Sequence, residues 1–192
     1  ASSYANKNYT KFETTSKSGM VGGGVEVSSP EEEKIKIGYI CGEFRNHPTY
    51  HLIKNLFKSH NSKKFNIFLF SFRHDEKIKE KLKEDVYKFF DITKITDTSA
   101  AEIIKECKLD VLIDLTVIIS RNRINILKAK PAKNIISYLG FPGTSGHNFY
   151  DYILTDKIIA PEEDQSFYTE KFLYLPNCYQ INDGLSNFSK TK

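Results

Sequence analysis

A histidine ahead of a proline, an aspartate closing an apolar run and a glycine-rich turn are the places where this 192-residue sequence could carry chemistry. The first is Gly42-Glu43-Phe44-Arg45-Asn46-His47-Pro48-Thr49-Tyr50-His51. Pro48 suits the first turn of a helix, with His47 or Asn46 at its cap, so the His47 imidazole would sit beside backbone N–H groups that favour an anion. Such a histidine can meet a phosphate or accept a proton. His47 and His51 also share a helical face, the spacing of a metal pair. The intervening Pro-Thr-Tyr lacks a metalloprotease glutamate and no third ligand is evident, so no metal is expected and His51 reads as an ordinary helix histidine. The second place is Asp114, followed by Leu115-Thr116-Val117-Ile118-Ile119-Ser120-Arg121-Asn122-Arg123; it is either a functional carboxylate or the cap of the next turn. The third is Leu139-Gly140-Phe141-Pro142-Gly143-Thr144-Ser145-Gly146, where glycines let a backbone approach a ligand closely. It lacks the lysine of an ATPase phosphate loop and does not match the Gly-x-Gly-x-x-Gly dinucleotide fingerprint.

The elements around these loops predict an α/β fold. Lys34 to Ile40 alternates polar and apolar residues and reads as a first strand, and Phe65 to Phe72 reads as a buried one. Leu52, Ile53, Leu56 and Phe57 mark a helical face, and Ile78, Leu82, Val86 and Phe89 recur at helical spacing. Phe90 to Ile92 is a short strand candidate, and Ser99-x-x-Glu102 is a capping box opening a helix through Ile103, Ile104 and Cys107. Val111 to Leu115, Asn134 to Leu139, Asp151 to Leu154 and Phe172 to Leu175 read as strands, with a helix over Asn122 to Lys130. Strands alternating with helices imply a Rossmann-like parallel sheet with helices on both faces. Ligands of such a sheet bind beyond the carboxyl ends of its strands, where the three loops fall.

Composition narrows the function classes. The chain is 40% hydrophobic and 27% charged, with no apolar run long enough to span a bilayer, so no membrane association is expected. The segment Ala1 to Thr10 lacks the apolar core of a signal peptide, which makes cytoplasm and nucleus the expected location. Cys41, Cys107 and Cys178 fit reduced thiols. The net charge of +4 is spread over lysines on solvated helix faces, and no nucleic-acid partner is expected. Residues 1–33, rich in Ser, Asn, Lys, Thr and Gly, read as a disordered or linker tail, 34–180 as the Rossmann-like lobe, and 181–192 as a polar C-terminal tail.

Taken in order, several motifs make the chain similar to a known family. Ile37-Gly38-Tyr39-Ile40, Phe44 to Leu52, Leu139 to Gly146 and Asp151-Tyr152-Ile153-Leu154-Thr155-Asp156 resemble the catalytic region of eukaryotic O-GlcNAc transferases. Phe65, Phe90-Asp91-Ile92, Pro131-Ala132 and Tyr168-x-Glu170-Lys171-Phe172-x-Tyr174-Leu175-Pro176 extend the match. The resemblance implies the N-terminal lobe of a GT-B glycosyltransferase that moves N-acetylglucosamine from UDP-GlcNAc to Ser or Thr hydroxyls of intracellular proteins. The related SPINDLY type, which transfers fucose from GDP-fucose, shares the fold.

By the same resemblance His47 is the catalytic candidate, as base or as a group positioning sugar or acceptor. Leu139, Gly140 and Pro142 line the donor-sugar pocket, with Gly143 and Thr144 completing the substrate-binding set. No cofactor and no divalent metal are implied, because cationic side chains and backbone donors, largely of a C-terminal lobe missing from this chain, meet the leaving phosphates. Tetratricopeptide repeats precede the catalytic region in the family, but no 34-residue helical repeat is present here. The fragment alone is therefore expected to be inactive. One departure stands out: where family members read Asp or Asn, then Gly, then His or Tyr and a Thr, this chain has Thr116-Val117-Ile118-Ile119. That change reads as altered acceptor selection, a weakened enzyme or a local misreading of the gene. A non-catalytic, protein-binding remnant of the fold is the alternative to a lobe of an active transferase.

Overall fold

The computed structural model describes residues 33–119 and 121–182. Of the tails expected over 1–33 and 181–192, residues 1–32 and 183–192 lie outside the described residues. Seven strands form one parallel sheet: β1 (Ile35–Cys41), β2 (Phe65–Ser71), β3 (Lys88–Asp91), β4 (Val111–Asp114), β5 (Asn134–Ser137), β6 (Tyr152–Thr155) and β7 (Lys171–Tyr174). Their order is β3-β2-β1-β4-β5-β6-β7, every pair parallel. The chain thus steps outward from β1 to β3, returns, and continues from β4 in the other direction. The two directions part between β1 and β4, the crevice where open α/β sheets place ligands.

Alternation along the strands sends side chains to two apolar layers. One holds Tyr39, Cys41, Ile67 and Leu69 under helices α1 (Pro48–Ile53) and α2 (Glu76–Asp85); the other holds Ile40, Phe68, Phe70, Leu112 and Ile135 under α3 (Asp97–Glu106) and α4 (Ile124–Lys128). Helices therefore cover both faces, as the sequence pattern implies. Ile181, expected to begin the polar tail, packs against the first of these layers. No helix among the described residues is long and apolar enough to cross a membrane.

Local boundaries differ from the sequence expectation for physical reasons. The helical run through Val86 and Phe89 stops at Asp85: Val86 is extended, and Phe89 and Phe90 point to opposite faces from β3, with Phe90 stacked 4.9 Å from Phe70. Helix α3 starts before the Ser99 box, because Thr96 is extended and its hydroxyl already accepts from the Ser99 N–H at 3.2 Å. Phe57 opens a short 3-10 turn (Phe57–Ser59) with Leu56 at its N-cap, and neither belongs to α1. Between β5 and β6 no helix forms, and the glycine-rich segment makes the connection itself.

Candidate functional site

Three loops meet at the carboxyl edge of the sheet. At the parting point the Gly42 N–H, just past β1, donates to the Thr116 hydroxyl, just past β4, at 3.2 Å. The β5 loop presses on the β4 loop from the other side. A Cβ on Gly140 would lie 2.6 Å from the Leu115 carbonyl oxygen and 2.7 Å from that of Thr116, so only glycine permits this backbone approach. The His47 loop and the Leu139–Gly140 turn, some ninety residues apart in sequence, thus leave the same sheet edge.

His47 sits at the N-cap of α1 with extended backbone, and its Nδ1 accepts the Thr49 N–H at 3.2 Å. A ring that accepts at Nδ1 carries its neutral-form proton on Nε2. That nitrogen lies 3.9 Å from a Glu43 carboxylate oxygen, and the His47 side chain is 29% exposed. His47 therefore carries a hydrogen-bond donor at Nε2 on a partly exposed side chain, and a proton could be taken there only by giving up the cap. His51 turns elsewhere, pairing with the Asn46 side-chain oxygen at 2.8 Å, so the two histidines do not converge.

Glu43 is buried and holds this loop in place. Its carboxylate receives Arg45 at 2.8 Å and the Arg73 guanidinium, and Arg73 Nε also donates to the Gly42 carbonyl at 2.8 Å. One buried carboxylate shared by two arginines fastens the loop after β1 to the one after β2.

Asp114 is equally buried but serves its own turn. It accepts the N–H groups of Thr116 and Val117 at 2.9 and 3.0 Å and the Tyr150 hydroxyl at 2.6 Å. Burial raises its pKa, and these three donors offset the rise only in part. The cap reading of Asp114 is thus the one its contacts satisfy. The turn it caps contains Val117 at φ 53°, a left-handed conformation that favours glycine, in the position where the family pattern has one. Ile118, at the position of the family's polar aromatic, is 39% exposed. Arg123 is spent on structure, donating to Asp97 at 2.7 Å and to the carbonyls of Ile92 and Ile95.

The expected substrate-binding set divides in two. Leu139 (φ 68°) and Gly140 lie against the β4 turn. Phe141 is 37% exposed. Thr144 and Ser145 are instead drawn to Glu170, the residue before β7. The roles of Glu43, Tyr150 and Glu170 become visible only when distant strands are adjacent, through Arg73, Asp114 and Thr144 respectively. Glu170 lies inside the Tyr168-x-Glu170-Lys171 motif, which marks it for attention without giving a role.

The model of glycosyl transferase family 41 matches residues 23–192. A probable UDP-N-acetylglucosamine-peptide N-acetylglucosaminyltransferase of Arabidopsis thaliana named SEC is 31% identical over 153 residues, 79% of this chain. The UDP-N-acetylglucosamine-peptide N-acetylglucosaminyltransferase of Caenorhabditis elegans is 30% identical over 154 residues, again 79% of this chain. The chain spans only 16% and 13% of the length of these two relatives. Among solved structures, a point mutant of the Thermobaculum terrenum O-GlcNAc transferase superposes with TM-score 0.72 at 23% identity, over 76% of this chain and 28% of its own.

Proposed function

The chain belongs to glycosyl transferase family 41, and from that premise we propose that it is the N-terminal lobe of a protein O-GlcNAc transferase. The reaction moves N-acetylglucosamine from UDP-GlcNAc to Ser or Thr hydroxyls of proteins in cytoplasm and nucleus. The observation that carries this reading is the convergence of the His47, Thr116 and Leu139–Gly140 loops at the point where the strand order reverses.

In such a transfer an acceptor hydroxyl attacks the anomeric carbon while the diphosphate departs, so the site must hold the sugar, orient the hydroxyl and stabilise a leaving anion. His47 supplies an Nε2–H donor to a sugar or acceptor oxygen, a positioning role that its cap supports better than proton abstraction. Leu139, Gly140 and Pro142 shape one wall for the sugar, with Gly143 and Thr144 behind them. Charge compensation for the diphosphate falls to cationic side chains and backbone donors of a second lobe, without a divalent metal. Tetratricopeptide repeats upstream would select protein substrates.

Transfer from labelled UDP-GlcNAc and GDP-fucose by the full-length protein tests the reading. GlcNAc transfer is expected from the whole protein, and none from residues 1–192 alone, which lack half the walls of the donor site. Fucose transfer would place the protein with the SPINDLY type, and transfer of neither sugar by the whole protein would make it a non-catalytic member that binds partners.

A further inference from the structure

A buried carboxylate engaged by four donors lies away from the strand-reversal point. Glu170 is completely buried, yet one oxygen accepts the Thr144 hydroxyl at 2.7 Å and the Thr169 hydroxyl at 3.0 Å. The other accepts the Ser145 N–H at 2.8 Å and the Ser145 hydroxyl in a short contact. Thr144 Oγ1 in turn accepts the N–H groups of Gly146 at 3.1 Å and Thr169 at 3.3 Å. Gln165 fixes the main chain of Glu170 itself, donating to its carbonyl at 2.9 Å. A buried anion with four donors is costly to create and costly to disturb, and charge-assisted bonds of this kind are the stronger ones.

All but one of those four donors come from the loop whose other end, Leu139–Gly140, abuts the β4 turn. We propose that Glu170 is a positioning residue for the transfer, fixing the β5–β6 loop in the conformation that receives the donor sugar; the proposal rests on the transferase reading above. Glu170 has no exposed surface and so cannot touch the sugar. It acts by consuming the hydroxyl hydrogens of Thr144 and Ser145, which leaves the backbone and Phe141 as what this loop offers a ligand. Without the carboxylate, the Ser145 N–H and two or three hydroxyls lose their acceptor. The β5–β6 connection has no helix to hold it, so the loop is then free to sample other conformations.

The test uses the full-length protein, as parent, Glu170→Gln and Glu170→Ala, with donor KM, kcat, melting temperature and amide exchange over residues 140–147 measured together. Gln keeps one good acceptor and lets the Thr hydroxyls turn round, so it partly restores the loop. KM for UDP-GlcNAc is expected to rise roughly ten- to hundredfold in Glu170→Ala and severalfold in Glu170→Gln, with kcat at saturating donor within about threefold of the parent. Amide exchange at 140–147 accelerates in the same order. A purely structural role would lower the melting temperature and leave KM at the parent value, which overturns the proposal. Should Glu170→Ala fail to fold, the Gln variant decides, and a parental KM there overturns it equally. Absence of GlcNAc transfer by the parent would instead refute the transferase reading, while unchanged exchange at 140–147 in Glu170→Gln would refute the role of Glu170 itself.

Discussion

Asp114 and Glu170 are both buried carboxylates that gather the donors of a loop, but they do so for opposite ends of the proposed donor wall and with opposite electrostatic outcomes. Asp114 faces two backbone N–H groups of its own turn and one tyrosine hydroxyl, and burial dominates, raising its pKa. Glu170 is also opposed by burial, yet the Ser145 and Thr144 hydroxyls and the Ser145 N–H outweigh it and hold its carboxyl below the usual range. The difference lies in the origin of the donors. A local turn can aim only a few groups at its cap, whereas a loop brought from another strand can surround a carboxylate.

Removing each carboxylate gives the largest effects. Asp114→Ala would strand the Tyr150 hydroxyl and two N–H groups in the core and let the Val117 turn relax, for an expected loss of about 3–5 kcal/mol in urea unfolding. Glu170→Ala, at the side of the sheet where the loop can yield, is expected to cost less, about 2–3 kcal/mol. Equal losses would erase the distinction between the two loops.

The amide variants sharpen the comparison through pH. A carboxyl held low contributes stability above its unfolded-chain pKa, about 4.3 for Glu, and loses it as pH falls through the folded value. A raised carboxyl does the reverse, contributing fully below about 3.9 for Asp and losing that contribution as pH rises through the folded value. The stability gap between parent and Glu170→Gln should therefore widen between about pH 3 and 6, while the gap between parent and Asp114→Asn should narrow. Gaps that move in the same direction would contradict the electrostatic contrast.

A smaller effect probes the turn that Asp114 caps. Val117 is fully buried at φ 53°, so replacing it by Ala loses packing and keeps the left-handed strain. Replacing it by Gly loses slightly more packing but removes the strain. Val117→Gly is expected to be no less stable than Val117→Ala, within about 0.5 kcal/mol, as read by denaturant midpoints. A clearly worse glycine variant would show that the conformation is not strained.

The sheet was legible because its signals are local: β1 and β2 announce themselves by alternation and by an apolar run, and the three loops follow from where strands end. His47 was legible as a cap for the same reason, since Pro48 specifies a first helical turn. The extent of α2 was not, because Phe89 satisfies a helical period and a strand alternation equally well. Nor was α3, where Thr96 reaches the Ser99 N–H before Ser99 can cap anything itself. For Asp114 the sequence leaves a functional carboxylate and a cap equally open, and the Tyr150 hydroxyl, 36 residues away, completes its set of donors in a way spacing does not show. Glu43 and Glu170 were not legible as site residues, since the partners that tie them to other loops, Arg73 for one and Thr144 and Ser145 for the other, lie some 25 to 30 residues away in sequence.

If the edge built around His47 handles the donor sugar and the acceptor, one substitution in the full-length protein shows it directly. Asn at position 47 can cap α1 as His47 does but cannot reach as far as the Nε2–H. His47→Asn is predicted to melt within a few degrees of the parent and to transfer GlcNAc from UDP-GlcNAc at least about a hundredfold more slowly. A variant that remains folded and transfers at the parent's rate would remove His47 from the reaction and contradict the account.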